Sequence, residues 1–204
     1  MIRSEFQGVG MRKGELARLH IIEKAAPVFN QLGYGGTSLA HLTEATGFEK
    51  SGIYRHFSSK EDLACQAFDY TYQIAWNTKF ASLKDLSSGI AKVEGFIHNF
   101  FSIRSPVPGG CPIYNNAVFA RESNPALKKR SQKGYKCWVN ALKDFIDEAK
   151  AEGEIRANID SEKLASFLLV SLEGSLIANN LIQRVGISND TADELIDYLR
   201  TKRP

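Results

Sequence analysis

Hydrogen-bonding side chains cluster in one short part of this 204-residue chain, between residues 37 and 63. Lysine ammonium, tyrosine and serine hydroxyl, and imidazole N–H groups can all donate to phosphate oxygens, and lysine also pairs with the acceptor atoms of guanine. The side chains with this chemistry are Lys50, Ser51, Tyr54, His56 and Lys60. They can act together only if the backbone holds them on a common surface.

The segment around these side chains predicts two short helices joined by a turn. Thr37 or Ser38 can cap the first helix, because either hydroxyl can accept from an orphan N–H at a helix start. Apolar residues follow at helical spacing until Gly47, which can take the left-handed conformation that closes a short helix. A second helix over 50–57 puts its apolar side chains on one face and most of its donors on others. A helix-turn-helix of this kind lays its second helix in the major groove of DNA.

The segment from Lys13 to Leu63 resembles, without a gap, the N-terminal domain of TetR-type (TetR/AcrR family) transcriptional regulators. The residues that carry the resemblance are Ala25, Phe29, Gly33-Tyr34, Thr37-Ser38, Gly47, Lys50 through Phe57, and Lys60 through Leu63. The resemblance implies a DNA-binding set of Thr37, Ser38, Lys50, Ser51, Tyr54, His56 and Lys60, in which Tyr54, His56 and Lys60 match the family's phosphate contacts.

Base reading is assigned to Lys50 and Ser51, because they stand at the start of the second short helix. Glu49 precedes them and could accept from the N4 amino group of cytosine or repel phosphates. The sequence leaves this choice open.

Helical periodicity, with no confident strand, predicts an all-α protein. Its N-terminal head has three helices, and a long helix from about 59 to 83 joins the head to a larger helical body. The predicted domains are 1–62, of which 1–11 form a mobile arm, and 63–204. The remaining predicted helices cover about 12–32, 89–103, 112–123, 125–151, 161–184 and 190–202.

Composition and motifs argue against an enzyme. Residues 1–60 hold eight lysines and arginines against five acids, whereas the other residues hold eighteen of each, so the excess positive charge lies in the segment predicted to meet DNA. The chain has no P-loop, dinucleotide fingerprint or nucleophile elbow, and its four histidines are scattered. Three widely spaced cysteines and no signal peptide favour a reducing cytoplasm. We predict no cofactor and no metal site.

The body is predicted to bind a small, largely apolar effector and to dimerise. The residues proposed to line the effector site are Tyr72, Trp76, Phe101, Cys111, Tyr114 and Trp138, although the aromatic ones could equally be core. The resemblance implies a homodimer through the helices over 161–184 and 190–202, released from a palindromic operator by the effector. The apolar character of the first of these helices agrees, because one subunit cannot easily cover it.

Three alternatives remain open at this stage. Cys111 follows a Gly-Gly loop at a helix start, where a thiol's pKa can fall, so the protein could sense electrophiles or oxidants, although an inert packed cysteine is favoured. The lysines and arginine at 128, 129, 130, 133 and 136 could form a second nucleic-acid surface, although a solvated face is favoured. The chain could also be a helical binding protein without a DNA role.

Overall fold

The computed structural model describes residues 12–119, 124–182 and 186–204. Every regular element in these ranges is a helix, which confirms the all-α prediction. The predicted mobile arm, 1–11, and the predicted end of a short helix at 120–123 lie outside the described residues.

The helices follow one another in the predicted order. They are α1 Lys13–Gly36, α2 Leu39–Thr46, α3 Lys50–Tyr54, α4 Lys60–Phe80, α5 Gly89–Ser102, α6 Pro112–Phe119, α7 Pro125–Ala151, α8 Ser161–Ile182 and α9 Ile187–Arg200, with a 3-10 helix Ala81–Asp85 after α4. Several helix ends differ from prediction by two to four residues, among them the end of α1 and both ends of α9. The second short helix ends at Tyr54 instead of 57, and the long helix ends at Phe80, after which the chain tightens into 3-10 geometry.

The chain folds into two compact units. Unit 1 comprises Met1–Ala75 and Ser105–Gln132, and unit 2 comprises Trp76–Arg104 and Lys133–Pro204. Unit 1 therefore contains the predicted head together with residues beyond position 62. The boundary at 62 remains a prediction.

The core of unit 1 is built from one side of each helix of the head. Ile21 of α1, Leu42 of α2 and Ile53 of α3 are at most 1% exposed, and Phe57 and Leu63 complete the same cluster. Full burial of such a side chain contributes about 1.5–3 kcal/mol relative to exposure. The three helices of the head therefore hold a fixed mutual geometry through apolar packing.

A pair of asparagines ties the loop before α6 to α1 within unit 1. Asn30 is buried, and its Nδ2 donates to the carbonyls of Pro108 at 2.8 Å and Gly110 at 3.1 Å. Asn115 Nδ2 donates to the carbonyls of Asn30 and Gly109. Gly109 has φ +110°, and a Cβ there would lie 2.8 Å from Asn30 Nδ2, so glycine is needed for this close approach. These contacts explain why the loop and α6 belong to the same unit as the head.

Helix α5 is held at both ends by charged side chains of unit 2. Glu152 and Glu154 accept from the backbone N–H groups of Gly89 at 2.9 Å and Ile90 at 3.0 Å. At the other end, the buried Lys79 donates to three carbonyls at the C-terminus of α5, those of Asn99, Phe100 and Ile103. Negative charge at the N-terminus and positive charge at the C-terminus both complement the helix dipole.

Helix α8 is long and apolar enough to cross a membrane, and among the helices of the described ranges it alone meets both conditions. The core helix of a water-exposed protein passes the same test, and Leu164, Leu168, Leu169 and Leu172 of α8 lie buried in unit 2. The same helix carries Glu162, Lys163 and Glu173. Its opposite face is exposed and apolar.

Candidate nucleic-acid interface

The turn between α2 and α3 is built from local backbone signals. Ser38 caps α2, because its Oγ accepts from the backbone N–H of His41 at 3.1 Å. Gly47 follows the helix with φ +71°, in the left-handed region, and its N–H donates to the Thr43 carbonyl at 2.9 Å. The predicted cap and the predicted turn glycine are both confirmed. His41 takes the place of the usual glutamate of a capping box, since its Nδ1 lies 3.2 Å from the Ser38 backbone nitrogen.

Helix α3 is seated by its apolar side and leaves its polar side in solvent. Ile53 and Phe57 are each 1% exposed, whereas Lys50 and Tyr54 are exposed together with Ser51. Phe57 follows the helix in a tight turn, in which its N–H donates to the Ile53 carbonyl. The buried Ile53 and Phe57 therefore fix the orientation of α3, so that its hydrogen-bond donors face solvent.

Gly52 lets α3 come close to the corner residue Phe48. A Cβ at Gly52 would lie 3.1 Å from Phe48 Cδ1, which is tighter than ordinary van der Waals contact. Phe48 also packs against the buried cluster of the head and lies 6.1 Å from the ring of His20. The aromatic ring therefore fills the corner between the two short helices.

Lys60 begins α4 with its ammonium group held against α1. Its Nζ donates to the Tyr34 carbonyl at 2.7 Å and lies 4.5 Å from the centre of the Tyr34 ring. Burial lowers the pKa of the Lys60 ammonium. An ammonium group has three donors, so this fixed position leaves donors for a phosphate.

Thr37 and His56 lie deeper than the other predicted contacts. Thr37 is 1% exposed, and its hydroxyl donates at 2.7 Å to the carbonyl of Gly33, whose positive φ of 69° kinks α1 near its C-terminal end. The Thr37 side chain therefore secures the corner between α1 and α2 and has no face toward solvent. His56 is half-buried, and Ser38 is exposed while its Oγ accepts the capping bond.

Two cations of the head were not in the predicted set. Arg55 is exposed and follows Tyr54 directly at the end of α3. The Arg18 guanidinium of α1 lies 5.3 Å from the centre of the Phe57 ring. The charge of Arg55 within the second helix was the sequence signal that could have identified it.

The six predicted effector-site residues are divided between the two units. Tyr72, Cys111 and Tyr114 belong to unit 1, whereas the other three belong to unit 2. Unit 1 has a cavity of about 30 Å³ beside Phe68 and Asn116, and none of the six lines it. A volume of this size holds about one water molecule. The cavity is therefore too small for an effector.

Trp138 is part of the core of unit 2. It is 1% exposed and meets the rings of Phe80 at 5.4 Å and Phe96 at 5.9 Å, both edge to face. Trp76 stacks on Phe80 at 4.3 Å. The side chains of this cluster stabilise one another, as aromatic pairs do at these distances.

The three cysteines differ in burial. Cys65 is buried, and burial is the main factor that raises the pKa of its thiol. Cys111 and Cys137 are half-buried, and neither is in a disulfide bond with a described residue. No group of three histidine, cysteine or acidic side chains among the described residues could hold a metal ion.

A capped helix, a left-handed glycine turn and a second helix with an exposed polar face define a helix-turn-helix DNA-binding protein. Comparison with known proteins agrees along most of the chain. Residues 21–67 match the family model of bacterial regulatory proteins of the tetR family, and residues 89–192 match that of the tetracyclin repressor-like C-terminal domain. The chain belongs to the TetR family of transcriptional regulators.

Named relatives and solved structures support this assignment. The chain is 30% identical over 161 residues to the HTH-type transcriptional repressor ComR of Escherichia coli, covering 77% of this chain and 76% of that protein. It is 28% identical over 161 residues to the repressor DhaR of a Mycobacterium species, covering 78% and 80%. A TetR regulator from Chloroflexus aurantiacus superposes with a TM-score of 0.89 and 33% identity, over 95% of this chain and 98% of that one.

The protein is therefore a DNA-binding transcriptional regulator and not an enzyme. Regulators of this family bind operator DNA, and they typically form dimers and respond to small molecules. A helical binding protein without a DNA role does not fit this membership. The comparisons give no support to the thiol-sensing alternative.

Proposed function

We propose that the chain is a cytoplasmic repressor that binds a palindromic operator as a homodimer and leaves it when a small, largely apolar effector binds. The exposed polar face of α3 carries this proposal. Lys50 and Ser51 stand at the start of the helix, where a recognition helix meets base edges. The buried Ile53 and Phe57 hold that face outward.

The proposed roles divide the polar side chains into base-reading and phosphate-binding groups. Lys50 and Ser51 read bases, whereas Tyr54, His56 and Lys60 bind phosphates. Phosphate contacts fix the register of the protein on the duplex but carry no direct sequence information. Ser38 adds a contact at the start of α2, and the buried Thr37 supports that corner from within.

A binding titration tests the phosphate roles. The intact protein is titrated by fluorescence anisotropy onto its own upstream region and onto unrelated duplexes of the same length. Lys60→Ala and Tyr54→Phe should weaken binding to all duplexes, and Lys60→Ala should lower the salt slope by about 0.9 for each phosphate that the protein no longer neutralises. Lys84→Ala removes an exposed lysine of unit 2 and serves as the control. An upstream region bound no better than unrelated DNA would refute operator recognition there.

An exposed apolar stripe on α8 supports dimerisation through α8 and α9. Its members recur at alternating spacings of three and four residues, the repeat of a helix–helix seam. They are Phe167 at 46% exposure, Val170 at 53%, Gly174, Ile177 at 52% and Leu181 at 79%. Nothing lies within 4 Å of a Cβ built at Gly174, so a partner helix could approach closely there.

Helix α9 borders the same stripe. Tyr198 is 38% exposed, and its ring lies 5.0 Å from that of Phe167. The two helices are therefore available as one continuous face for a second copy. Contiguous exposed apolar surface of this kind is typical of protein–protein interfaces.

The effector is proposed to bind in the C-terminal body, near some of the aromatic side chains named above. Three of the residues proposed to contact the effector, Trp76, Phe101 and Trp138, belong to unit 2. The other three, Tyr72, Cys111 and Tyr114, belong to unit 1. Release requires that the effector bind a second conformation better, by about 10⁴-fold for a nearly complete shift. Screening apolar compounds for release of the bound duplex, with the intact dimer, tests this part. A compound that binds without changing operator affinity is not the effector.

A further inference from the structure

The basic side chains at the start of α7 have different partners. Arg130 is committed to α4, because its Nε donates to both carboxylate oxygens of Asp69 at 3.1 Å. Lys128 and Lys129 are exposed, and neither pairs with an acid within the described ranges. Two cations in the first turns of α7 are therefore available to an external anion.

Helices α4 and α7 run in the same direction where they meet in unit 1. Leu127 is 3% exposed and packs in one cluster with Cys65 and Phe68 of α4. Arg130, one turn later on α7, meets Asp69. Because residue numbers rise together along both helices, the N-terminal end of α7 lies toward the N-terminal end of α4.

That end of α4 begins with Lys60, a proposed phosphate contact. Leu127 packs at the level of residues 64–68, which is about 6–12 Å along the axis from Lys60 at 1.5 Å per residue. Side chains of an α-helix tilt toward its N-terminus, so Lys128 and Lys129 lean back toward Lys60. Both lysines therefore lie toward the end of unit 1 that carries the proposed phosphate contact.

The charge of α4 gives these lysines a further role. The first three turns of α4 carry one cation, Lys60, against three acids, Glu61, Asp62 and Asp69. By itself, this surface would repel a phosphate backbone. The three cations of α7 at 128–130 reverse the balance, because they exceed the acidic excess by one charge.

We propose that Lys128 and Lys129 form a second phosphate-binding surface, which engages the DNA backbone outside the half-site that α3 reads. This inference rests on the proposed function, because it needs a duplex held by the head of the same chain. The two lysines add affinity and salt dependence but no base preference, since phosphate contacts carry no direct sequence information.

The test compares two alanine pairs on two duplexes. The duplexes carry the palindrome that the wild-type protein selects from random DNA. One ends at the outer base pairs of the palindrome, and the other extends about one helical turn, ~10 base pairs, on each side. Lys128→Ala/Lys129→Ala is the test variant. Lys133→Ala/Lys136→Ala removes the same charge from exposed sites further along α7 and is the matched control. Circular dichroism and sedimentation confirm that both variants keep the wild-type fold and dimer.

On the long duplex, the test variant should lower the slope of log K against log salt by about 3.6, because each of the two subunits then neutralises two phosphates fewer at ~0.9 per phosphate. On the short duplex its slope should match that of the wild type. The control should behave as the wild type on both. Lys128→Glu/Lys129→Glu should bind the long duplex still more weakly and leave the affinity for the short duplex unchanged.

Equal slopes for the test and control variants on the long duplex would overturn the inference, and the lysines would then serve a solvated face or an acidic protein partner. A weakening of the same size on both duplexes would also overturn it, because the lysines would not then bind flanking DNA. A wild-type protein that selects no site contradicts the proposed function and this inference with it. If the wild-type protein selects a palindrome but Lys128→Ala/Lys129→Ala binds both duplexes as the wild type does, this inference alone is contradicted.

Discussion

The exposed stripe of α8 makes a quantitative prediction about the dimer. Ile177, in the middle of the stripe, is 52% exposed. Full burial of an isoleucine side chain contributes about 1.5–3 kcal/mol, so covering this exposed half contributes about 0.8–1.6 kcal/mol per subunit. A two-fold dimer buries two copies, so Ile177→Ala should weaken association by up to about 1.6–3.2 kcal/mol. At 1.4 kcal/mol per factor of ten, the dissociation constant should rise about 15- to 200-fold.

Sedimentation equilibrium over a range of protein concentrations measures this change. Ile177→Asp should dissociate the dimer further, because it places two like charges in an apolar seam. Val118→Ala is the matched control, since Val118 is 64% exposed on α6 of unit 1 and lies outside the stripe. Operator binding by the Ile177 variants should become dependent on protein concentration. A wild-type protein that is monomeric at micromolar concentration, or a dimer equally weakened by Val118→Ala, would refute the assignment of this face.

Three further predictions concern single side chains. Lys79→Met should lower the free energy of unfolding by about 3 kcal/mol or more, because three carbonyls of α5 lose a buried donor at about 1–3 kcal/mol each, whereas Lys84→Met should have little effect. Denaturant unfolding compares them, and equal destabilisation would contradict a special role for Lys79. Gly47→Ala should cost about 1–2 kcal/mol through its left-handed backbone. Gly14→Ala is the control, because Gly14 lies in α1 with nothing within 4 Å of an added Cβ, and it should be neutral or stabilising. Thermal unfolding compares the two variants, and a neutral Gly47→Ala would show that the turn tolerates a side chain. Cys111→Ser should leave effector-induced release of DNA unchanged, and a variant that no longer responds would revive the thiol-sensing alternative.

The helix-turn-helix could be predicted because its signals are local. A serine cap at Ser38 and a left-handed Gly47 act on backbone groups within four residues, so their meaning survives without tertiary context. The end of α3 was harder to predict. Phe57 is buried like a helical residue, but it reaches the core from a turn, and periodicity alone does not separate the two cases.

Contacts between distant residues could not be predicted from the sequence. Asn115 donates a hydrogen bond to the carbonyl of Asn30, 85 residues earlier in the chain. The sequence around an asparagine does not indicate which carbonyl its side chain will contact. The effector residues show the same limit. The aromatic character of Trp138 predicts burial, but it does not say whether the ring is buried against a ligand or against other core side chains.

The sequence shows that the cations of α7 are clustered, but it does not show which of them are paired with acids. The lysines and arginine of α7 read as one solvated face in sequence. The structure separates Arg130, which is paired with Asp69, from Lys128 and Lys129, which are not paired within the described ranges. This separation depends on the register between α4 and α7, which no local pattern encodes.

Operator recognition by α3 is best tested by the sequence that the intact protein selects from a random duplex library, read for the wild type and for Lys50→Ala. We expect an inverted repeat whose half-site centres lie about 10–10.5 base pairs apart, or a multiple of that, as two recognition helices of a dimer require. Lys50→Ala should relax preference at one base pair in each half-site, by about 1–3 kcal/mol, and leave the other positions unchanged. Selection of no inverted repeat, or equally weakened binding of all sequences by the variant, would contradict base reading by this helix.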